Sequence, residues 1–453
     1  MNLLEPHSNQ PHRNSINIPG LQDKLKQVWH TSLYSNAIYL MISSVTSSLL
    51  GFIFWIVAAR LYSTEQVGLA SAIIAAAGLM AMFATLGMDM GLLRFLSRAE
   101  NPAVMINTVF TIGIITSTIV TFVFVAGLGF WSPALVFIRQ NSLYLIAFII
   151  VCIVNQINGL LSHALIANRR TGFVATGSLI SNLLDLFLVI LLAGFLQSSG
   201  IFTAWGISLV VSFLIGIFWF LPKVQPGYRP FFSVNRQVVN DMIGFSLANY
   251  LATFFWSAPG TILPLMVVNL LGAESNAYFY IAWSIGSTLP LIAGAVTTSL
   301  FAEGSKDEKT LEPNIWRSLK MSFIIIIPLS ILVIVLAPLL LHLFGKSYAG
   351  NSTSLLRIIT LSSIPTVINI TYISIKRVEK NLKALVIFTC IQGIASLLFA
   401  YLLMPPMGLN GIGIAWLSIQ SALAVFVVIH LSRALQIIPK LKVFISHDKT
   451  PSG

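Results

Sequence analysis

The stretch SLYLIAFIIVCIVNQINGLLSHALIANRRTGFVATGSLISNLLDLFLVILLAG (142–194) holds two apolar runs joined by Asn168-Arg169-Arg170, and its reading decides the fold. Both runs are continuously apolar instead of alternating, and both are close to the ~20–25 residues that a helix needs to cross a bilayer. A helix satisfies its backbone hydrogen bonds within one segment, so the stretch predicts a hairpin of two membrane helices, not two barrel strands. The arginine pair at the turn points to a cytosolic connection.

Outward from this hairpin, runs of the same kind lie at about 37–59, 68–88, 106–130 and 201–221, which with 142–166 and 173–194 make six spans. The polar stretch KVQPGYRPFFSVNRQVVND (223–241) follows, and six more spans are expected at about 242–270, 277–301, 319–344, 354–375, 384–404 and 410–432. Of the 453 residues 56% are apolar and 9% charged, against about 25% charged in ordinary soluble proteins, which excludes a soluble fold. The expected architecture is an all-α integral membrane protein with a tail at 1–36, six-helix lobes at 37–221 and 242–432, a linker at 222–241 and a tail at 433–453. Residues 21–35 place Leu21, Leu25, Val28 and Trp29 at helical spacing and read as a helix on the headgroups or an extension of span one. The first 20 residues lack the basic stretch and apolar core of a secretory signal.

With the amino terminus placed inside, 22 of the 26 Lys and Arg residues fall on the inner side, leaving only Arg60, Arg139, Lys346 and Arg357 outside. A missed helix would invert every later loop, so the split supports twelve spans with both termini cytosolic in a cell membrane. The net charge of +12 is thereby a topology signal and not a mark of nucleic-acid binding. Cys152 and Cys390 sit in separate apolar runs, and the seven histidines are scattered, so neither a disulfide framework nor a metal site is expected. No nucleophile motif or Gly-rich phosphate loop marks an enzyme or a nucleotide cofactor.

Six spans is an even number, so both lobes start on the same side, as parallel repeats about an axis along the membrane normal require. AARLYSTEQVGLASA (58–72) can be laid over VVNLLGAESNAYFYI (267–281), bringing Glu65 onto Glu274 at the same outer turn.

The first two spans, AARLYSTEQVGLASAIIAAAGLMAMFATLGMDMGLLRFLSR (58–98), together with LHLFGKSYAGNSTSLLRIITLSS (341–363) and LMPPMGLNGIGIAWLSI (403–419), carry a family resemblance. They resemble the O-antigen-type oligosaccharide repeat-unit flippases of the multidrug/oligosaccharidyl-lipid/polysaccharide (MOP) exporter superfamily, over about residues 32–435. The resemblance implies two lobes with pseudo-two-fold symmetry that move a polyprenyl-diphosphate-linked oligosaccharide from the inner to the outer leaflet by alternating access. Its implied partners are membrane lipids, that lipid-linked oligosaccharide, and the glycosyltransferases and polymerase of the same pathway; no cofactor is implied.

Two polar constellations fit such a path. On span seven Ser246, Asn249, Tyr250, Thr253, Ser257 and Thr261 share one face, too polar to meet lipid, and Pro259 and Pro264 are expected to bend the helix. Asn36, Ser43 and Ser47 give span one a shorter stripe. Asn155, Asn158 and Ser162 on span four face Ser178, Ser181, Asn182 and Asp185 on span five, with Asn155 and Asp185 at matching depth. An intramembrane carboxylate is a coupling or gating candidate by default, beside the plainer reading of a structural hydrogen-bonded cluster. Asp89 is expected to pair with Arg94 or Arg98, and His163 to be interfacial. Arg60 and Arg357 are candidates for a diphosphate, because the planar fork of arginine suits phosphate oxygens. The competing functions are an ion-coupled multidrug exporter, which would want an acidic residue in span one or seven where none stands, and a membrane scaffold or glycosyltransferase, for which no long loop is available.

Overall fold

The computed structural model describes residues 32–196, 199–292, 294 and 311–434. Among them are thirteen main helices and no strand. The amino-terminal set is α1 (Ser32–Leu61), α2 (Thr64–Thr85), α3 (Met88–Phe95), α4 (Pro102–Ala126), α5 (Ser142–Ala167), α6 (Thr171–Leu192) and α7 (Gly200–Ile215, continued by further turns to Val224). The carboxyl-terminal set is α8 (Arg236–Leu270), α9 (Ala273–Gly286), α10 (Leu311–His342), α11 (Lys346–Val378), α12 (Leu382–Met407) and α13 (Leu409–Ala434). Eleven helices among the described residues are long and apolar enough to cross a membrane; the eighth predicted span begins with α9 and continues as helix over 288–292, and its residues 293 and 295–301 lie outside the described residues. The twelve-helix, two-lobe expectation holds. Both tails lie outside the described residues.

Side-chain caps explain where many helices start. Ser63 accepts from Gln66 N at 3.2 Å while Gln66 Oε1 accepts from Ser63 N at 3.0 Å, closing a reciprocal cap on α2. Asn101, Asn141, Asn235 and Asn381 each accept backbone N–H bonds in the first turns of α4, α5, α8 and α12, groups that have no partner within their own helices. The second span is broken: Leu86 (φ 47°) and Gly87 (φ 77°) both take left-handed conformations, ending α2 and restarting the chain as α3. Pro259, Pro264 and Pro365 are carried inside α8 and α11.

Asn351-Ser352-Thr353 precedes the predicted tenth span at 354–375 yet lies inside α11, and Ser352 is buried with its hydroxyl donating to Tyr278 O at 3.1 Å. Span one starts by residue 32, so residues 32–35 follow the second reading of 21–35, an extension of span one, while residues 21–31 lie outside the described residues.

The turns at 62–63, 271–272 and 343–345 share one end of the bundle, the end poor in basic residues and here termed outer. There the lobes pack together through one apolar cluster, with Ala58, Tyr62 and Val67 from one lobe against Ala277, Leu341 and Phe344 from the other. At the opposite end the connection after α7 is fastened to α4. Tyr228 Oη donates to Asn107 Oδ1 at 2.8 Å, Asn107 Nδ2 donates to Arg229 O at 3.0 Å, and Ser233 N donates to Thr111 Oγ1 at 3.1 Å.

Candidate functional site

Helices that pack through Ser and Thr leave polar gaps, and three such gaps lie within the membrane-spanning bundle. A cavity of about 170 Å³ in the amino-terminal lobe is lined by Ser47, Asn158, Ser162, Ser178, Ser181 and Asn182. It brings together most of the predicted constellation of spans four and five, and Asn182 Nδ2 donates to Ser47 Oγ on α1 at 3.0 Å. Asn155 stands apart: its Nδ2 points to Ala77 O on α2 at 3.4 Å. Asp185, one turn beyond Ser181 and Asn182 on α6, is buried beside Ser208 of α7, and its Oδ1 has no hydrogen-bond partner.

A smaller gap of about 90 Å³ separates the lobes, with Thr85 and Asp89 on one side and Tyr250, Thr253 and Ser257 of α8 on the other. Tyr250 Oη donates to Met82 O at 3.1 Å across it. The stripe on span seven thus does face the other lobe, although Asn249 lines none of the three cavities, and the side chains of Asn36 and Ser246 lie outside the described residues. Asp89, expected to pair with Arg94 or Arg98, opens onto this gap, with Oδ2 at 4.0 Å from His163 Nε2. The break at Leu86-Gly87 is what turns it inward.

The largest of the three gaps, about 470 Å³, lies inside the carboxyl-terminal lobe. Its walls include Trp256 and Ser257 of α8, Trp283 of α9, Ser362 and Thr366 of α11, Thr389 of α12 and Trp416 of α13. Arg377, one residue from the end of α11, supplies its only charge among the described lining residues.

Neither sequence-nominated arginine is in that position. Arg60, at the end of α1, donates from Nε to Leu343 O at 2.8 Å and from Nη2 to His342 O at 2.6 Å, so its guanidinium caps α10 of the opposite lobe. Arg357 donates from Nε to Ile334 O at 3.1 Å. It precedes Arg377 by 20 residues of one helix, about five and a half turns, and therefore occupies the face opposite the cavity. The sequence did contain the signal for Arg377, since Ser362, Thr366, Ile373 and Arg377 recur at helical spacing on α11, but the residue was spent on the charge count.

The profile of the family described as "Polysaccharide biosynthesis protein" matches residues 33–301. A Shigella flexneri protein described as "Putative O-antigen transporter" is 26% identical over 155 residues, 33% of this chain and 37% of that protein, so the match spans little more than a third of the relative's length. Among solved structures, an inward-facing multidrug resistance MATE family transporter of the MOP superfamily covers 89% of this chain and 99% of its own at 17% identity, with a TM-score of 0.68. An outward-facing conformation of such a transporter gives 91%, 98%, 17% and 0.61. A MOP superfamily transporter from Pyrococcus furiosus, titled for the reverse polarity of its binding pocket, gives 90%, 96%, 16% and 0.57. These likenesses fix the architecture, and the family profile covers more than half of the chain: it belongs to the polysaccharide biosynthesis protein family and has the fold of the MOP-superfamily transporters.

Proposed function

We propose that the protein is a flippase that moves a polyprenyl-diphosphate-linked oligosaccharide from the inner to the outer leaflet of the cell membrane by alternating access of its two lobes. The observation that carries this reading is the cavity of the carboxyl-terminal lobe, which sets Ser and Thr hydroxyls within the bilayer and holds the cation Arg377 with no carboxylate among the described lining residues. A sugar diphosphate cannot cross hydrocarbon, because an isolated charge there costs several kcal/mol or more, so its head group needs a hydrated path with a compensating cation. The polyprenyl tail can remain in lipid beside the protein. Glycosyltransferases on the inner side would supply this substrate, and a polymerase on the outer side would consume it.

The second reading, an ion-coupled multidrug exporter, draws on the structural neighbours and on the buried carboxyl of Asp185. It asks a cationic drug to enter a cavity that already bears a positive charge. A leaflet-resolved assay in proteoliposomes decides between the two: the lipid-linked oligosaccharide should change leaflet and a cationic drug should not. Arg377→Gln is expected to lower the lipid's transport strongly, with Arg377→Lys recovering part of it, because lysine keeps the charge and loses the fork. Drug transport by the parent without lipid movement would overturn the proposal.

A further inference from the structure

The carboxyl-terminal cavity is long, and its two ends differ. Ile359 and Arg377 both line it, and 18 residues of α11 separate them, a rise of about 27 Å. Arg377 marks the inner end. Trp283 lies ten residues, about 15 Å, into α9 from the outer end, and Trp416 seven residues, about 10 Å, into α13. Their rings meet edge to face with centroids 5.0 Å apart, and they line the cavity towards its outer end.

Between these ends the walls offer acceptors. Ser362 Oγ donates to Ile359 O at 2.6 Å, Thr366 Oγ1 to Ser362 O at 2.7 Å, Ser374 Oγ to Ile370 O at 3.0 Å and Thr389 Oγ1 to Leu385 O at 3.0 Å. Each of these four hydroxyl hydrogens is therefore spent on its own helix, and what these four groups offer a ligand is oxygen lone pairs. Such a wall suits a ligand rich in O–H donors. A diphosphate, which only accepts, matches Arg377 and not this middle section. Indole rings complete the match, since a flat apolar face with one N–H donor can hold the C–H face of a sugar and one of its hydroxyls together.

Resting on the flippase reading, we infer that this cavity takes the oligosaccharide sugar-first: the sugars farthest from the lipid lie against Trp283 and Trp416, and the diphosphate stays at Arg377. That arrangement leaves the diphosphate at the level of the inner headgroups, where a lipid of the inner leaflet already carries it. It also makes the tryptophan pair a reader of sugars remote from the carrier.

The test compares two lipids in proteoliposomes, a polyprenyl diphosphate bearing one hexosamine and the full lipid-linked oligosaccharide extracted from the source cells. Trp416→Leu and Trp283→Leu should lower transport of the full oligosaccharide about tenfold and leave the single-sugar lipid near the parent rate, which also verifies folding. Trp416→Phe, which keeps a ring, should recover much of the loss, and Arg377→Gln should impair both lipids. Equal loss for both lipids with Trp416→Leu, or no loss for either, would overturn the inference while leaving the flippase reading in place. A parent protein that moves neither lipid would remove that reading and the inference with it.

Discussion

Arg60 and Arg377 are the same side chain in two employments, and their surroundings decide which. Arg60 ends α1 opposite the carboxyl terminus of α10, and both of its hydrogen bonds go to carbonyls that the helix leaves unpaired. Since α1 and α10 belong to different lobes, these bonds exist only while the outer ends are together. Removing a charged hydrogen-bond donor costs about 1–3 kcal/mol. Arg60→Ala should therefore shift the molecule towards outward opening, seen as a longer distance between spin labels at the exposed positions Glu65 and Ser347. An unchanged distance distribution would show that Arg60 is no latch. Asp185 poses the opposite case, a carboxyl buried with one oxygen unpartnered. Asp185→Asn keeps the shape and removes the titration, so protein abundance should stay near the parent's while transport loses its dependence on an ion gradient. Reduced abundance with the gradient dependence retained would make Asp185 structural.

At the scale of elements, hydropathy made most spans legible because a membrane helix announces itself in its own composition. The ends were less so. The tenth span was expected at 354–375 and runs from Lys346 to Val378, because Asn351, Ser352 and Thr353 look like loop, yet Ser352 bonds to α9 and Asn351 and Thr353 bond to carbonyls of their own helix. The candidate site was harder still: the charge that lines the cavity and the charge that does not share one helix, and only the angular count between Arg357 and Arg377 separates them. The seam of α2 with α9 was also hidden, since its working residues are small. Asn276 Nδ2 donates to Gly68 O at 2.8 Å and to Ser71 Oγ at 3.1 Å, and a Cβ on Gly68 would overlap the carbonyl oxygen of Ala273. Gly68→Ala must push these helices apart, at a cost of about 1–3 kcal/mol for overpacking. Transport should fall by tenfold or more, and the same spin-label pair should report separated outer ends; closure at the parent distance would refute the role of the seam.

The whole molecule follows from where that seam lies. In the internal alignment Gly68 corresponds to Ala277 and Val67 to Asn276, and it is these equivalent turns that touch across the lobes, as residues beside a two-fold axis must. Helices at the axis separate at one end when they close at the other, which gives two lobes a way to expose a cavity to each side in turn. Which side is which depends on the charge split expected from the sequence, which assigns 22 basic residues to one end against four to the other. The connection fastened to α4 lies at the basic-rich end and the α10–α11 turn at the basic-poor end, so both can be tested in intact cells with single thiols at exposed positions. A membrane-impermeant maleimide should label Ser347→Cys and spare Gln237→Cys until the cells are opened. The parent's own thiols, Cys152 in α5 and Cys390 in α12, lie within membrane helices and are replaced by alanine beforehand. Labelling in the reverse order would place the termini outside, invert the leaflets between which the substrate moves, and leave Arg377 facing the wrong side for a lipid that begins in the inner leaflet.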